Sequence, residues 1–416
     1  MRNSPLLFVL IGLMVLLDFY VFQAVKVVSQ SAGSKTKSII YITYWVISIL
    51  ILLIFIILPF LNLDNYSKGL RSIFFAVIIA FFFAKLIAGV FLMVDDIRRL
   101  IQWIAGKMFF RNTEAEQIQD DDGISRSVFL SWLGLAAGTG LFGSLIYGFS
   151  NKYDYDIKKI PLSFANLPAA FKGLKIVQIS DIHSGSLSNK KAVQKGVEAI
   201  MKQNADLILF TGDLVNNRSE EMKDYIDVFN RLKAPLGVYS TLGNHDYGDY
   251  ENWPSMQDKV KNLERLKQIH GEMGWKLMMN ENVILERNGE KMALLGVENW
   301  GAKARFPKYG KLNQAYAGVE DVPFKILLSH DPSHWDAEVR KNYPDIALML
   351  AGHTHGMQFG VELPWFKWSP VQYVYKQWAG LYKEENQYLY VNRGFGFIGY
   401  PGRVGILPEI TVFELS

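Results

Sequence analysis

Four long apolar runs within residues 1–150 constrain the fold of this 416-residue chain more than any other feature. Each run approaches or exceeds the roughly 20 residues that an α-helix needs to cross the hydrocarbon core of a bilayer. Asp18 and Lys85 are the two charged side chains inside the runs. We therefore predict an α-helical transmembrane region of about four spans, at residues 5–25, 39–60, 72–94 and 128–149.

Asp18 and Lys85 are unusual residues for membrane spans. Placing an ionisable side chain inside a bilayer costs free energy, and such residues often have a function. They could pair across helices or mark a polar path. Alternatively, each could lie near a membrane interface or face a neighbouring helix. We favour the second interpretation, since the runs lack the further charges that a transporter or channel would need. Residues 95–127 are expected to form a helical extension of the third span or a surface helix, leading to a solvated loop with the acidic run Asp120–Asp122.

Basic residues beside the spans favour one orientation in the membrane. Loops on one side carry eight Lys or Arg residues and loops on the other carry six, and the richer side is normally cytoplasmic. This predicts a multi-pass membrane protein whose large C-terminal domain lies outside the cytoplasm. The richer side has Lys26, Lys35, Lys37, Arg98, Arg99, Lys107, Arg111 and Arg126, and the other has Arg2, Lys68, Arg71, Lys152, Lys158 and Lys159.

Beyond residue 150 the pattern becomes that of a globular domain. A polar connector at residues 151–172 contains Pro161 and Pro168, which is typical of a linker before a domain at residues 173–416. Short apolar runs then alternate with helical stretches such as Lys190–Gln203, a pattern that predicts an α/β core with crossover connections. The predicted strands are Lys175–Ser180, Leu207–Phe210, Gly237–Thr241, Lys325–Leu328, Ile346–Leu350 and Tyr388–Val391.

Polar residues cluster directly after five of these strands. In open α/β sheets, ligands bind outside the carboxyl ends of the strands, so we expect these side chains to meet at one rim. The five motifs are Asp181-Ile182-His183, Gly212-Asp213, Gly243-Asn244-His245-Asp246, His330 and Gly352-His353-Thr354-His355-Gly356. One such motif alone carries little information, but five in order after five strands are not expected by chance. His334 is an alternative to His330, which we prefer because it ends a strand directly.

The residue types suit a pair of divalent ions. Two ions about 3.5–4 Å apart can clamp the attacking and leaving oxygens of a phosphoryl displacement, and such a pair needs a bridging carboxylate plus imidazole or amide ligands. In Asp181-x-His183 and His353-x-His355 we expect both side chains to point the same way, because alternate strand residues share a face. Manganese, iron, zinc and magnesium all suit this ligand set.

Together the five motifs resemble the full signature of the calcineurin-like metallophosphoesterases. The likeness extends to the segments at residues 390–394 and 401–410, which resemble a membrane-associated bacterial branch of phosphodiesterases and phosphohydrolases. Met357 departs from that branch, which usually has a second glycine there. The resemblance implies a β-sandwich core flanked by helices, and hydrolysis by a hydroxide held between two divalent metal ions.

The resemblance also implies a role for each motif residue. His245 would be the general acid or charge stabiliser at the leaving-group oxygen, and Asp246 would orient it. Asp213 would bridge the two metals. The implied ligands of the first metal are Asp181, His183 and His355, and those of the second are Asn244, His330 and His353.

An aromatic segment follows the last motif, with Trp365, Phe366, Trp368, Tyr373, Tyr375 and Trp378 interleaved with lysines. Trp and Tyr are enriched at membrane interfaces, so the segment could touch the bilayer and bring lipid-borne phosphoesters to the site. It could equally pack as a lid or core beside the site. The sequence allows both interpretations.

We therefore expect a membrane-anchored hydrolase of phosphoester bonds, with a phosphodiester, a pyrophosphate or a lipid-linked ester as substrate. The alternative is a catalytically silent metal-binding scaffold or sensor, which would be expected to have lost ligands. The chain has no cysteine, which excludes thiolate ligands, and its net charge of +4 gives no sign of a nucleic-acid partner. The substrate, the metal and the oligomeric state are not readable from the sequence.

Overall fold

The computed structural model describes residues 5–61, 68–109, 126–303, 306 and 308–416. The chain divides into two compact units, Met1–Tyr147 and Gly148–Ser416. The acidic run Asp120–Asp122, which we predicted to lie in a solvated loop, falls outside the described residues.

Four helices long and apolar enough to cross a membrane are described, as the sequence predicts. The third is longer than its predicted span, because it continues through residues 95–109 as we expected. At 1.5 Å per residue its length is about 63 Å, roughly twice the thickness of a bilayer core. The helices are α1 (Pro5–Val28), α2 (Ser34–Ile57), α3 (Lys68–Phe109) and α4 (Arg126–Gly148).

Asp18 and Lys85 form a buried ion pair that joins α1 to α3. Lys85 Nζ also donates to Ser48 Oγ of α2 at 2.7 Å, and Tyr44 OH of α2 donates to the Asp18 carbonyl at 2.7 Å. The two charges therefore pair across helices, which is the interpretation that we did not favour; each also faces a neighbouring helix, as the favoured interpretation allowed. Pairing of this kind compensates charges that neither hydrocarbon nor packed helices can solvate.

Fourteen strands are described in the second unit. They are β1 (Asp156–Leu162), β2 (Lys175–Ile179), β3 (Leu207–Thr211), β4 (Val238–Thr241), β5 (Lys276–Leu277), β6 (Glu281–Arg287), β7 (Glu290–Gly296), β8 (Lys325–Leu328), β9 (Ile346–Ala351), β10 (Val361–Leu363), β11 (Phe366–Trp368), β12 (Gly380–Glu384), β13 (Gln387–Val391) and β14 (Glu409–Leu415). All six predicted strands are present, within one residue or so of the expected bounds.

The strands form two six-stranded sheets and one small hairpin. The first sheet has the order β1-β14-β2-β3-β4-β5, the second has the order β12-β13-β9-β8-β7-β6, and β10 pairs with β11. Strands β2, β3 and β4 are parallel, and so are β7, β8, β9 and β13. Parallel neighbours end at the same edge of a sheet, so each sheet gathers the loops that follow its strands at one rim.

The two sheets pack face to face and carry helices on their outer faces. Ile176 and Leu209 of the first sheet share a buried cluster with Ile326 and Leu348 of the second. Helices α5 and α7 cover the first sheet, and α8 contributes to the cluster on the outer face of the second. This β-sandwich flanked by helices is the predicted fold class. The helices of this unit are α5 (Lys190–Met201), α6 (Ile226–Phe229), α7 (Met256–Glu272), α8 (Leu312–Tyr316) and α9 (Arg340–Asn342).

The predicted linker at residues 151–172 is instead part of the second unit. It contains β1, which pairs in parallel with β14 along its full length, and its Leu162 and Phe171 side chains are buried. We misread it because β1 is an edge strand, where proline and lysine are tolerated. Pro161 occupies such an edge position opposite Glu414.

We predict that Lys85→Met lowers the free energy of unfolding of the full chain by about 3–5 kcal/mol, because it leaves the Asp18 carboxylate buried and unpaired. The measurement is loss of helical circular dichroism on titration with denaturing detergent. Asp18→Leu combined with Lys85→Met should restore most of the stability, and Lys35→Met, at an exposed position, serves as the control. A loss no larger than that of Lys35→Met would contradict the structural importance of the pair.

Candidate metal centre

The loops after β2, β3, β4, β8 and β9 bring all seven predicted ligands together at the rim of the sandwich. Six of them form two groups in which one donor atom from each residue lies within 4.8 Å of the others. The first group is Asp181, His183 and His355, and the second is Asp213, His330 and His353. Each group takes residues from both sheets, so neither sheet alone could form the site.

Left-handed backbone conformations set the directions in which five of the predicted ligands project. Strand β2 ends at Ile179, and Asp181 and His183 beyond it have φ values of 52° and 48°. Asp213, His353 and His355 also have positive φ, at 62°, 72° and 52°. The alternation of strand residues that we invoked therefore does not explain the convergence. Such conformations cost about 1–3 kcal/mol each for non-glycine residues and tend to occur at functional sites.

Two motif glycines are required for space rather than for their φ angles. A Cβ at Gly243 would overlap the Asp213 carboxylate, and a Cβ at Gly352 would overlap both Ser180 and the Asp181 carboxylate. The backbone of one loop thus lies directly against the carboxylate of another. This contact fixes the two carboxylates relative to the adjoining strand ends.

The first group is oriented by a hydrogen bond behind His183. His183 Nδ1 lies 3.1 Å from Asn216 Oδ1, which leaves Nε2 as the ligating atom. His183 Nε2 lies 3.0 Å from His355 Nε2, and His355 Nε2 lies 3.2 Å from Asp181 Oδ1. These buried nitrogen and oxygen atoms converge on one point, as the ligands of a divalent cation do.

The second group has the same design. His330 Nδ1 lies 2.7 Å from the Thr211 carbonyl oxygen, an acceptor, so Nδ1 carries hydrogen and Nε2 is left for a metal. His330 Nε2 is 3.2 Å from Asp213 Oδ2. His353 Nδ1 lies 2.8 Å from Asn244 Oδ1 and 3.3 Å from His330 Nε2. Asn244 thus stands beside the second group, as the resemblance implies.

Asp213 lies between the two groups. Its Oδ2 is 3.2 Å from His330 Nε2 of the second group and 3.5 Å from His183 Nε2 of the first. Its Oδ1 accepts a hydrogen bond from the backbone N–H of His245 at 2.9 Å. A carboxylate in this position fits the bridging role, and the whole donor set fits two divalent ions.

The charge of the Asp213 carboxylate shifts the pKa values of its neighbours, and burial shifts them as well. Burial lowers the pKa of His330, but the charge and hydrogen bond of Asp213 outweigh it and raise that pKa to about 10. Burial also raises the pKa of Asp213, but His330 and His245 hold it well below its usual range. For His183, burial dominates and lowers the pKa to about 3, so its imidazole is neutral and ready to bind a metal.

His245 and Asp246 adopt different arrangements from the one implied. His245 Nδ1 contacts the carbonyl oxygen of Asn216 at 2.8 Å. The Asp246 carboxylate instead accepts hydrogen bonds from the backbone N–H groups of Asp213, Gly243, Leu214 and Val215, at 2.8–3.2 Å. Asp246 therefore supports the loop that carries Asp213, and Asn216 orients His245. Burial and the charge of Asp213 raise the pKa of Asp246 to about 7.

The remaining histidines lie outside both groups. His334 stacks on Trp300 with ring centroids 4.3 Å apart, and its Nδ1 lies 2.9 Å from Ser329 Oγ. His270 is buried with its Nδ1 2.9 Å from Ser240 Oγ. The geometry supports our preference for His330 over His334.

Sequence reasoning missed the residues that stand behind the ligands. Tyr375 OH lies 2.9 Å from His353 Nε2 and donates to Asp331 Oδ2 at 3.2 Å. Arg403 is fully buried and donates to the carbonyls of Arg393 and Gly394, at 2.7 and 3.2 Å. Tyr375 belongs to the aromatic segment, but its link to His353 is a long-range contact without a local sequence signal.

Some rings of the aromatic segment pack inside the domain, and others are exposed. Tyr375 and Trp378 are buried and belong to a cluster with Val371, Ala379 and Ile406. Packing beside the site is therefore confirmed for these two rings. Trp365 and Tyr373 are 81% and 77% exposed, so contact with the bilayer stays a prediction for them.

The profile described as "Calcineurin-like phosphoesterase" matches residues 174–357. A second, described as "Probable Calcineurin-like phosphoesterase, transmembrane domain", matches residues 1–152. The metallophosphoesterase YkuE of Bacillus subtilis is 31% identical over 263 residues, which are 60% of this chain and 82% of that protein. The chain belongs to the calcineurin-like phosphoesterase family, and its apolar helices make it a multi-pass membrane protein.

Two further relatives extend the comparison. The "Transmembrane protein with metallophosphoesterase domain" of Danio rerio is 29% identical over 263 residues, which are 62% of this chain but only 56% of that protein. The UDP-2,3-diacylglucosamine pyrophosphatase LpxG of Chlamydia muridarum is 25% identical over 287 residues, which are 57% of this chain and 81% of that protein.

We predict that Tyr375→Phe weakens metal binding or turnover by about 10–100-fold while the fold is kept, because His353 loses the hydroxyl that holds its second nitrogen. The measurement is the metal concentration that gives half-maximal phosphoesterase activity. Tyr373→Phe, two residues away and exposed, is the matched control. Equal metal affinity and turnover in the two variants would show that the Tyr375 hydroxyl does not position His353.

Proposed function

We propose that this protein hydrolyses phosphoester bonds at two divalent metal ions held by the rim residues. The observation that carries the proposal is the pair of ligand groups joined by Asp213. Under this proposal a transmembrane region at residues 1–150 anchors the catalytic domain. Membership of a metallophosphoesterase family supports the reaction type.

When bound, two divalent ions at this site would neutralise charge on the phosphoryl group and activate water for attack on phosphorus. The chain's own residues provide the geometry. Asp213 stands between the groups, and Asp246 holds its loop through four backbone hydrogen bonds. Little rearrangement is then needed when charge develops in the transition state.

His245 is suited to act at the leaving-group oxygen. A carbonyl oxygen only accepts hydrogen bonds, so the contact with Asn216 means that Nδ1 of His245 carries a hydrogen. Nε2 is then the atom that gives or takes a proton. His245 also lines the cavity over the ligands, where a substrate would lie. This supports its role as general acid.

The cavity supports an ester with an apolar or extended leaving group. It has a volume of about 270 Å³, and Tyr250, Phe306 and Ile398 line it beside the metal ligands. Such side chains suit carbon-rich groups on either side of the phosphorus better than a bare phosphate. We therefore propose a phosphodiester or a pyrophosphate linkage as the substrate class.

A lipid-linked substrate is the version of this proposal that we favour. The chain is a membrane protein, and the relative LpxG is named as a pyrophosphatase of UDP-2,3-diacylglucosamine, a lipid-bearing nucleotide. A membrane-embedded enzyme meets such substrates at the bilayer surface.

We also propose that the catalytic domain lies outside the cytoplasm, because the loops on the opposite side carry more basic residues, eight against six. A reporter that is active only outside the cytoplasm, fused after Ser416, should be active. Activity of a cytoplasm-specific reporter at the same position would refute this orientation.

The test of the function uses the full chain purified in detergent and stripped of metal. Hydrolysis of bis-p-nitrophenyl phosphate and of p-nitrophenyl phosphate should return with manganese, zinc or magnesium. Asp213→Asn should lose more than about 100-fold in activity, because a bridging ligand matters more than a residue behind a ligand. Asp227→Asn, at an exposed carboxylate, should be unchanged.

His245→Ala should lose about 10²–10⁴-fold, the usual contribution of general acid catalysis. The loss should be greater for an alkyl ester, whose leaving group needs a proton, than for a nitrophenyl ester. Metal-independent turnover, or normal activity of Asp213→Asn, would refute the proposed mechanism. Stable metal binding without turnover of any ester would favour the silent scaffold.

A further inference from the structure

The hairpin of β10 and β11 turns its charged face toward the domain and its apolar face toward the outside, which is the reverse of an ordinary surface hairpin. Its strands pair Val361 with Trp368, Glu362 with Lys367 and Leu363 with Phe366. Directly opposed residues share a face, so the charged pair lies on one face and the two apolar pairs lie on the other. Val361, Leu363 and Phe366 are exposed.

The charged face is the one that holds the hairpin to the domain. Glu362 accepts a hydrogen bond from Arg393 Nη2 at 2.6 Å. Lys367 donates to the carbonyl of Ala379 and lies over the Trp378 ring at 5.0 Å. The apolar face is thus turned to the outside by specific contacts, and it is not an accident of a loosely attached loop.

The apolar face continues into neighbouring residues. Trp365 at the hairpin tip is 81% exposed. Trp368 Nε1 lies 3.5 Å from Tyr373 OH, and Tyr373 and Val374 are both exposed. We call this set the aromatic surface, and it consists of Val361, Leu363, Trp365, Phe366, Tyr373 and Val374. Contiguous exposed apolar side chains of this kind mark sites of interaction.

Hydrogen bonds connect the hairpin to Val404 and its neighbours within the second unit. Gly148, the last residue of α4, accepts a hydrogen bond from Arg403 N at 2.8 Å. The next residue, Val404, donates to Gln358 O at 2.8 Å and accepts from Gly360 N at 2.9 Å. Gly360 directly precedes β10. The hairpin is therefore held to the rest of its own unit through the backbone of residues 403 and 404.

The aromatic surface is also connected to the metal centre. Val374 is followed directly by Tyr375, whose hydroxyl contacts His353 Nε2 at 2.9 Å. One short segment thus reaches from exposed rings to a ligand of the second group. Whatever covers Tyr373 and Val374 would lie close to the cavity that receives the substrate.

We propose that the aromatic surface docks on the lipid bilayer in which the chain is anchored. Trp and Tyr prefer the headgroup region, because their rings are apolar and their N–H and O–H groups are polar. Anchoring by apolar helices keeps this bilayer within reach, which favours it over a separate protein partner. The inference deepens the proposed function, on which it rests for its purpose: a docked domain would receive lipid-borne phosphoesters at the membrane surface.

The test exploits the absence of cysteine from the chain. The full chain with Leu363→Cys is labelled with an environment-sensitive fluorophore and reconstituted at one copy per nanodisc, in phosphatidylethanolamine and phosphatidylglycerol. Lipids with a quencher near the headgroup end of an acyl chain then report contact. Met256→Cys is the matched control, because Met256 is an apolar side chain that is 71% exposed at the start of α7.

Quenching at position 363 should be several-fold greater than at position 256. It should fall when Trp365→Ser and Tyr373→Ser are added to the Leu363→Cys protein. Equal quenching at the two positions, or no effect of the serine substitutions, would overturn the proposal. Cross-linking between copies through position 363 in detergent, with no quenching in nanodiscs, would identify a second copy as the occupant and would also overturn it.

The proposed function is tested separately in the same samples, by hydrolysis of soluble bis-p-nitrophenyl phosphate. Quenching without hydrolysis would leave docking standing and the proposed function refuted. Hydrolysis without quenching would leave the proposed function standing and docking refuted. The two proposals can therefore fail independently.

Discussion

The proposed metal centre depends on one carboxylate, Asp213, that lies between two groups of candidate ligands. Asp213 lies 3.2 Å from His330 Nε2 and 3.5 Å from His183 Nε2, and these histidines follow strands of different sheets. The site therefore exists only when both sheets are packed face to face. This explains why ligands from five loops, spread over 175 residues from Asp181 to His355, need the whole sandwich to meet.

Bringing these groups together costs free energy, through strained backbone conformations and buried charges. Five of the ligands have left-handed backbone conformations, and the carboxylates of Asp181 and Asp213 are buried in the same rim. Buried histidines partly compensate the two carboxylates, since they hold both pKa values below the usual range against the effect of burial. Divalent cations would compensate them more fully. A rim of this kind is a reason to expect metal binding to stabilise the domain.

Features of the fold and the site that depend on local sequence could be predicted, whereas those that depend on contacts between distant residues could not. The apolar runs and the polar residues after strands are local features, so the spans, the six strands and the convergence of the seven candidate ligands were predictable. Strand β1 was missed because an edge strand with proline and lysines has the composition of a linker. The Asp18–Lys85 pair and the contact of Tyr375 with His353 join residues distant in the chain. The role of Asp246 was misjudged because its four backbone partners have no signature in side-chain sequence.

The most direct test of the account is a count and location of the metal ions. Crystals of the full chain loaded with manganese would be measured by anomalous X-ray diffraction at the manganese edge. The account predicts two peaks about 3.5–4 Å apart, one beside Asp181, His183 and His355 and the other beside His330 and His353, with Asp213 between them. A single peak, or peaks away from Asp213, would contradict the shared-carboxylate centre.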